Sequence, residues 1–123
     1  MIEVCSKVLS EVSVYVGKNV KIGDIEVDII SLIPDVHGVS VHLFEAKAKP
    51  KWKLIKQILS RYDMADYLYV VLPYTSYLWA SSAIPEYVGI VLIDKHLNPI
   101  LMRFPKWLGN GTKCLKYLAM ELI

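Results

Sequence analysis

The stretch from residue 23 to residue 30 reads GDIEVDII, and the stretch from residue 39 to residue 47 reads VSVHLFEAK. In the first stretch β-branched residues alternate with acidic ones, which is the pattern of a β-strand. The second stretch is rich in apolar and β-branched residues, and the turn formers Pro34, Asp35 and Gly38 lie between the two. We therefore expect residues 23–30 and 39–47 to form the two strands of a hairpin.

Outside the hairpin, apolar spacing predicts helices that alternate with strands. The predicted helices are residues 2–16, residues 51–65, a short helix at 76–82 and a C-terminal helix capped by Thr112, and the remaining predicted strands are 67–72, 88–93 and 100–104. This order predicts an α/β fold, a three-layer α/β/α sandwich with a mixed central sheet. A length of 123 residues fits one domain, residues 1–123.

The composition narrows the class of protein. At 54% hydrophobic residues the chain is too apolar for a disordered protein. Cys5 and Cys114 are far apart in the sequence, and no Cys/His cluster suggests a zinc site, so we expect two reduced, buried thiols. The alternative is a disulfide between them, which requires the two ends of the chain to meet. The uncharged run from Tyr67 to Pro85 is interrupted by proline and serine, and the first residues are too charged for a signal peptide. We expect a cytoplasmic protein without a membrane segment.

The charged residues of the hairpin that best suit metal binding or catalysis are Asp28, Glu45 and Lys47. Carboxylates within apolar strands are costly unless they bind something. Glu45 and Lys47 point to the same face because side chains alternate along a strand, and a hairpin can bring Asp28 beside them. Two converging carboxylates form a hard-oxygen site for Mg²⁺ or Mn²⁺, and a nearby ammonium can stabilise phosphate charge. The alternative is that Glu26, Asp28 and Glu45 are solvent-facing charges of an edge strand, with Lys47 as an ion-pair partner.

Residues 23–30 followed by Leu43-Phe44-Glu45-Ala46-Lys47 resemble the signature of the PD-(D/E)xK nuclease superfamily, whose small archaeal Holliday junction resolvases are closest in size. Val27 stands where the proline of that signature lies. The resemblance implies a restriction-endonuclease-like αβββαβ core and metal-dependent hydrolysis of DNA phosphodiester bonds. It implies that Asp28, Glu45 and the Ala46 carbonyl bind the metal and that Lys47 positions the attacking water.

The resemblance also implies two supporting residues, a glutamate on the first helix and a glutamine on the helix after the hairpin. Gln57 is the candidate for the glutamine. Glu3 is the candidate for the glutamate and a further metal ligand, with Glu11 as an alternative. Both glutamates lie four residues from Lys7, so an exposed ion-pair stripe explains them equally well.

A basic run follows the hairpin and contains no acidic residue. Its members are Lys47, Lys49, Lys51, Lys53, Lys56 and Arg61. Such a run beside a hydrolytic site would attract a phosphate backbone, so we expect the last five to bind DNA, in preference to RNA. Trp52 within the run could stack on a base. The alternative is an ordinary solvated helix face.

Two further expectations concern function and assembly. The alternative to a nuclease is a catalytically inactive protein of the same fold that binds nucleic acid or a protein partner. A third class is a structural or assembly protein whose charges are incidental. We expect a homodimer for two reasons. Cutting both strands needs two sites, which a twofold dimer supplies. The high apolar content also favours an apolar interface between subunits. The segment from Tyr74 to Trp79 and the C-terminal residues Met120, Leu122 and Ile123 are its expected contacts.

Overall fold

The computed structural model describes residues 1–36 and 38–121. Its α-helices are α1 (Ile2–Leu9), α2 (Trp52–Ser60), α3 (Tyr77–Ala83) and α4 (Thr112–Glu121). Its strands are β1 (Tyr15–Ile22), β2 (Ile25–Asp35), β3 (Gly38–Ala46), β4 (Tyr67–Pro73), β5 (Gly89–Ile93) and β6 (Pro99–Arg103). Short 3-10 turns follow α2 at Tyr62–Met64 and precede α3 at Tyr74–Ser76.

The six strands form one mixed sheet in the order β1-β2-β3-β4-β5-β6. Strands β1, β2 and β3 pair antiparallel, β3, β4 and β5 pair parallel, and β6 pairs antiparallel with β5. Helix α2 connects β3 to β4 and helix α3 connects β4 to β5, as parallel neighbours require. The predicted α/β class with a mixed sheet is confirmed.

Strand β1 corrects one sequence-based prediction. A helix was expected over residues 2–16, but α1 ends at Leu9 and the chain is already extended at Tyr15. Val12 and Val16 fit the helical spacing of Cys5 and Leu9, which explains the error. The β-branched residues here pair better with β2, and the Val14 N–H donates to the Leu32 carbonyl at 2.9 Å. Tertiary pairing therefore overrides the local helical pattern.

Helices cover both faces of the sheet. Helices α2, α3 and α4 contribute Leu54, Ala80 and Leu118 to the larger core on one face. Helix α1 packs Cys5 on the other face, against residues that include Ile29 and Phe44. Both cysteines are free and buried, as expected. Each large aliphatic side chain that is fully buried contributes about 1.5–3 kcal/mol, so these two cores hold the sheet and helices together.

A polar network lies within the sheet on the α1 face. The His42 ring accepts from the Tyr69 hydroxyl through Nδ1 (2.8 Å) and donates through Nε2 to the Ser40 hydroxyl (2.9 Å). Ser40 donates its one hydroxyl proton to the Ile33 carbonyl, so Nε2 is assigned as the donor to Ser40, and in a neutral ring Nδ1 is then the acceptor. Burial lowers the pKa of His42 to about 4, against the opposing charges of Asp66 and Asp35. The network links β2, β3 and β4 and leaves no ring nitrogen for another ligand.

Several large apolar side chains remain at the surface. Leu78 on α3, Phe104 after β6 and Met120 on α4 are each more than 70% exposed. Tyr74 and Tyr77 are exposed as well, whereas Trp79 is partly buried. The predicted dimer contacts Leu122 and Ile123 lie outside the described residues. Within residues 1–36 and 38–121, no helix combines the length and the apolarity needed to cross a bilayer.

Candidate active site

The carboxyl groups of Asp28 and Glu45 lie side by side on neighbouring strands. Ile29 pairs with Phe44 in the antiparallel register of β2 and β3, so the next position outward sets Asp28 opposite Glu45. Asp28 Oδ2 accepts a hydrogen bond from the Ala46 backbone N–H at 2.8 Å, which fixes the carboxylate against the end of β3. We refer to Asp28 and Glu45 as the carboxylate pair.

Glu45 is held by a buried arginine. Glu45 is 3% exposed and Arg61 is 8% exposed. Arg61 Nε donates to Glu45 Oε1 at 2.6 Å, and its two terminal nitrogens donate to the Gln57 carbonyl, the Ser60 hydroxyl and the Glu26 carbonyl. The guanidinium therefore ties the end of α2 to strands β2 and β3 and orients one oxygen of Glu45.

The ionised form of Glu45 is disfavoured in this environment. Burial raises its pKa from 4.5 to about 8, and the negative charge of Asp28 acts in the same direction. The positive charge of Arg61 opposes both effects without cancelling them. A carboxyl group with such a pKa is typical of sites where a protein holds charge for a ligand or a reaction.

Strand β2 changes face at Asp28. Val27 and Ile29 are two residues apart, yet Val27 packs in the core on the α2 face and Ile29 in the core on the α1 face. In strand β1, opposite Asp28, Asn19 has a φ of 52°, a left-handed conformation that non-glycine residues rarely adopt. The irregularity lies in β2 and β1 at Asp28 and Asn19, whereas the placement of Asp28 opposite Glu45 follows from the register of β2 and β3.

Lys47 follows the carboxylate pair in sequence and lies at the edge of a basic surface. It lies two residues after Glu45, and its backbone N–H donates to the Val71 carbonyl. A shallow depression of about 510 Å³, here named the lysine depression, adjoins it. Its lining residues are Lys47, Ala48, Lys49, Lys51 and Lys53.

The lysines of this surface have no acidic partner. Within the described ranges, Lys47, Lys49, Lys51, Lys53 and Lys56 form no ion pair. Lys51 is also the N-cap residue of α2, and its side chain makes no capping hydrogen bond. Cations at a helix N-terminus are unfavourable, so this placement is poor for the stability of α2 and leaves positive charge available for a ligand.

Arg61 is the residue whose role the sequence analysis misassigned. It was expected on the DNA-binding surface, but its burial and its pairing with Glu45 prevent contact with a phosphate backbone. Arg61 lies seven residues after Leu54 and three after Ile58, both buried on α2. This helical spacing predicts that Arg61 lies on the same buried stripe. Composition alone grouped it with the lysines.

The remaining predicted site residues lie apart from the carboxylate pair or beside it without contact. Glu3 is exposed and pairs with Lys18 at 2.6 Å, and Glu11 is exposed in the turn after α1. Gln57 is half-buried on α2, one turn before Arg61, and its carbonyl accepts from Arg61. Across residues 1–36 and 38–121, no three His, Cys, Asp or Glu side chains cluster closely enough to hold a metal ion.

Comparisons with known proteins bear on the fold. No family model matches the chain, and no curated protein matches it. A solved structure of a protein of unknown function from Silicibacter pomeroyi superposes with a TM-score of 0.62 at 11% identity, covering 87% of this chain and 73% of that one. At this identity the likeness shows a shared α/β fold alone.

Proposed function

We propose that the chain is a metal-dependent endonuclease that hydrolyses DNA phosphodiester bonds. The observation that carries this proposal is the carboxylate pair, two acidic side chains brought together in a largely buried position beside Lys47. The order α1, β1, β2, β3, α2, β4 supports a restriction-endonuclease-like αβββαβ core. The neighbouring lysine depression supports an anionic substrate.

The donor set of the pair suits Mg²⁺ or Mn²⁺. These ions prefer carboxylate and carbonyl oxygens and keep several waters, so few protein ligands suffice. Asp28 and Glu45 raise each other's energy through like-charge repulsion that Arg61 only partly relieves, and a divalent cation would remove that cost. The proposed ligands are Asp28, Glu45 and the Ala46 carbonyl. When bound, the ion would polarise the phosphoryl oxygen and make water a better nucleophile.

The protein's own residues would divide the remaining tasks. Arg61 holds Glu45 in one orientation through its hydrogen bond at 2.6 Å. The ammonium of Lys47, which has no partner among the described residues, would orient the attacking water and stabilise charge on the phosphate. Lys49, Lys51, Lys53 and Lys56 would hold the flanking phosphates. Gln57 stays a supporting candidate because it lies one turn from Arg61, and Glu3 could join only by leaving Lys18.

A cleavage assay tests the proposal. Purified protein should nick or cut DNA with Mg²⁺ or Mn²⁺ and stop with EDTA. Asp28→Asn and Lys47→Ala should each lower the rate by about 10²–10³ because each removes a preorganised charge. Matched controls are Asp24→Asn in the turn before β2 and Lys95→Ala in the turn after β5, both exposed. Equal activity in the site variants and the controls would refute the mechanism.

The pairing of Glu45 with Arg61 favours one alternative function. Arg61 supplies a permanent positive charge to Glu45, and such a pair can persist without any metal. A protein of this kind would bind nucleic acid, or a protein partner, without cleaving DNA. Salt-dependent DNA binding in EDTA, with no cleavage of duplex, branched or single-stranded DNA in Mg²⁺ or Mn²⁺, would favour this alternative.

A further inference from the structure

Trp52 is an exposed aromatic residue within the basic surface. It is the first residue of α2, and the residue is 69% exposed. Leaving a ring of this size in water forgoes the free energy of burying it. The flanking Lys51 and Lys53 both line the lysine depression together with Lys47. Trp52 therefore adjoins the lysine depression in sequence, although it is not one of the residues that line it.

A second tryptophan fixes the orientation of the Trp52 ring. The rings of Trp52 and Trp79 lie 6.0 Å apart at an interplanar angle of 70°, an edge-to-face contact. Trp79 is anchored by partial burial against the main core. An edge-to-face contact occupies at most one face of Trp52, so the exposed ring keeps a flat apolar face available to a ligand.

Trp107 provides a useful contrast. It is also exposed, and its ring contacts Tyr67 edge to face. The adjacent Lys106 is paired with Glu86, so its charge is already balanced. In the described part of the chain, an exposed tryptophan between two unpaired lysines occurs only at Trp52.

We infer that Trp52 is a stacking platform for an unpaired base, and that the preferred ligands are nucleic acids with single-stranded segments. In a duplex the faces of the bases are covered by their neighbours, so a protein ring can stack only on a base that is unpaired or at an end. Exposed aromatics flanked by cations are the usual elements of single-strand binding, where stacking is sequence-tolerant and lysines hold the backbone. This inference deepens the proposed function by naming its substrate class.

Binding measured in EDTA separates this inference from cleavage. The affinity of a labelled DNA strand would be measured by fluorescence anisotropy for the wild-type protein, Trp52→Ala, Trp52→Phe and Trp107→Ala. The same sequence would be presented as a single strand, as a duplex and as a strand with abasic residues. Trp52→Ala should weaken single-strand binding by about 5- to 150-fold, the range measured for loss of one base stack. Trp52→Phe should restore most of the affinity, and Trp107→Ala should bind like the wild type.

The abasic strand identifies stacking as the cause. If Trp52 stacks on a base, the wild-type protein should bind the abasic strand more weakly, and Trp52→Ala should cause no further loss there or on the duplex. The inference is overturned if the wild type does not bind single strands, if Trp52→Ala binds them like the wild type, or if the loss is equal on all three DNAs. Failure of cleavage with this pattern intact would refute the nuclease proposal alone.

Discussion

Replacing Glu45 by glutamine should stabilise the protein while abolishing its proposed activity. Glutamine has the same shape, can accept from Arg61 Nε through its oxygen, and can donate to Asp28 through its amide. It carries no charge, so it removes both the cost of burying a carboxylate and the repulsion from Asp28. A purely structural ion pair predicts the opposite result, since breaking a buried pair costs about 3–5 kcal/mol.

The magnitude follows from the pKa of Glu45. Because the folded-state pKa is raised from 4.5 to about 8, the native protein binds a proton more tightly than the unfolded chain. The free energy of unfolding should therefore fall as pH rises from 4.5 to 8. Each pKa unit corresponds to about 1.4 kcal/mol, which gives a ceiling of about 5 kcal/mol above pH 8. Since the glutamine forms weaker hydrogen bonds with Arg61, we expect a net gain of about 1–3 kcal/mol.

Urea or thermal unfolding in EDTA would measure this difference between about pH 5 and pH 9. Glu45→Gln should unfold at a higher midpoint than the wild type at the upper end of the range, and the two midpoints should converge near the lower end. Glu86→Gln, which removes an exposed carboxylate paired with Lys106, is the matched control and should show no such convergence. A Glu45→Gln variant less stable than the wild type at high pH would refute the reasoning.

Three other predictions concern separate parts of the molecule. Because the pKa of His42 is lowered, the unfolded chain takes up the proton first, so the free energy of unfolding should decrease by up to about 3 kcal/mol as pH falls from 6.5 toward 4. His42→Gln should lose this pH dependence in the same unfolding titration, and an unchanged dependence would assign it to another group. Neutralising Lys51, Lys53 and Lys56 together should lower the slope of log affinity against log salt by up to about 0.9 per phosphate contact, while an unchanged slope would show that this helix end faces away from DNA. Light scattering should give a mass near twice 14.0 kDa that does not depend on salt, since exposed Leu78 and Met120 favour an apolar interface. A mass near 14.0 kDa would exclude the homodimer at that concentration.

The sequence predicted elements whose pattern is local and failed where long-range contacts decide. The β2–β3 hairpin and the strands of the parallel region were predictable because β-branched alternation and short apolar runs are local features. Strand β1 was missed because Val12 and Val16 satisfy a helical stripe, and only pairing with β2 distinguishes the two structures. The His42–Tyr69 hydrogen bond joins residues 27 positions apart and has no local signature.

The candidate site divides in the same way. Asp28 and Glu45 were predicted to converge, and the cross-strand register brings them together. The change of face between Val27 and Ile29 and the positive φ of Asn19 in the neighbouring strand are not revealed by any residue pattern in β2. Arg61 was wrongly assigned to the DNA-binding surface because it was grouped with the lysines by charge, without regard to the face of α2 on which it lies. Charge composition predicts what a segment can attract, whereas spacing predicts which of its charges face the solvent.

The charges around the carboxylate pair explain why binding and cleavage are separable. When Glu45 is ionised, above its pKa of about 8, the charges of Asp28 and Glu45 balance those of Arg61 and Lys47. Arg61 is fixed by its four hydrogen bonds, whereas Lys47 has no ion pair in the described part of the chain. Below that pKa the site carries one unbalanced positive charge, and a divalent cation bound in place of the Glu45 proton would raise the net charge further. The lysine depression concentrates more positive charge than the site does, so we expect binding without metal to depend mainly on it and on Trp52, and cleavage to depend on Asp28 and Glu45. Variants in one set should leave the other property measurable.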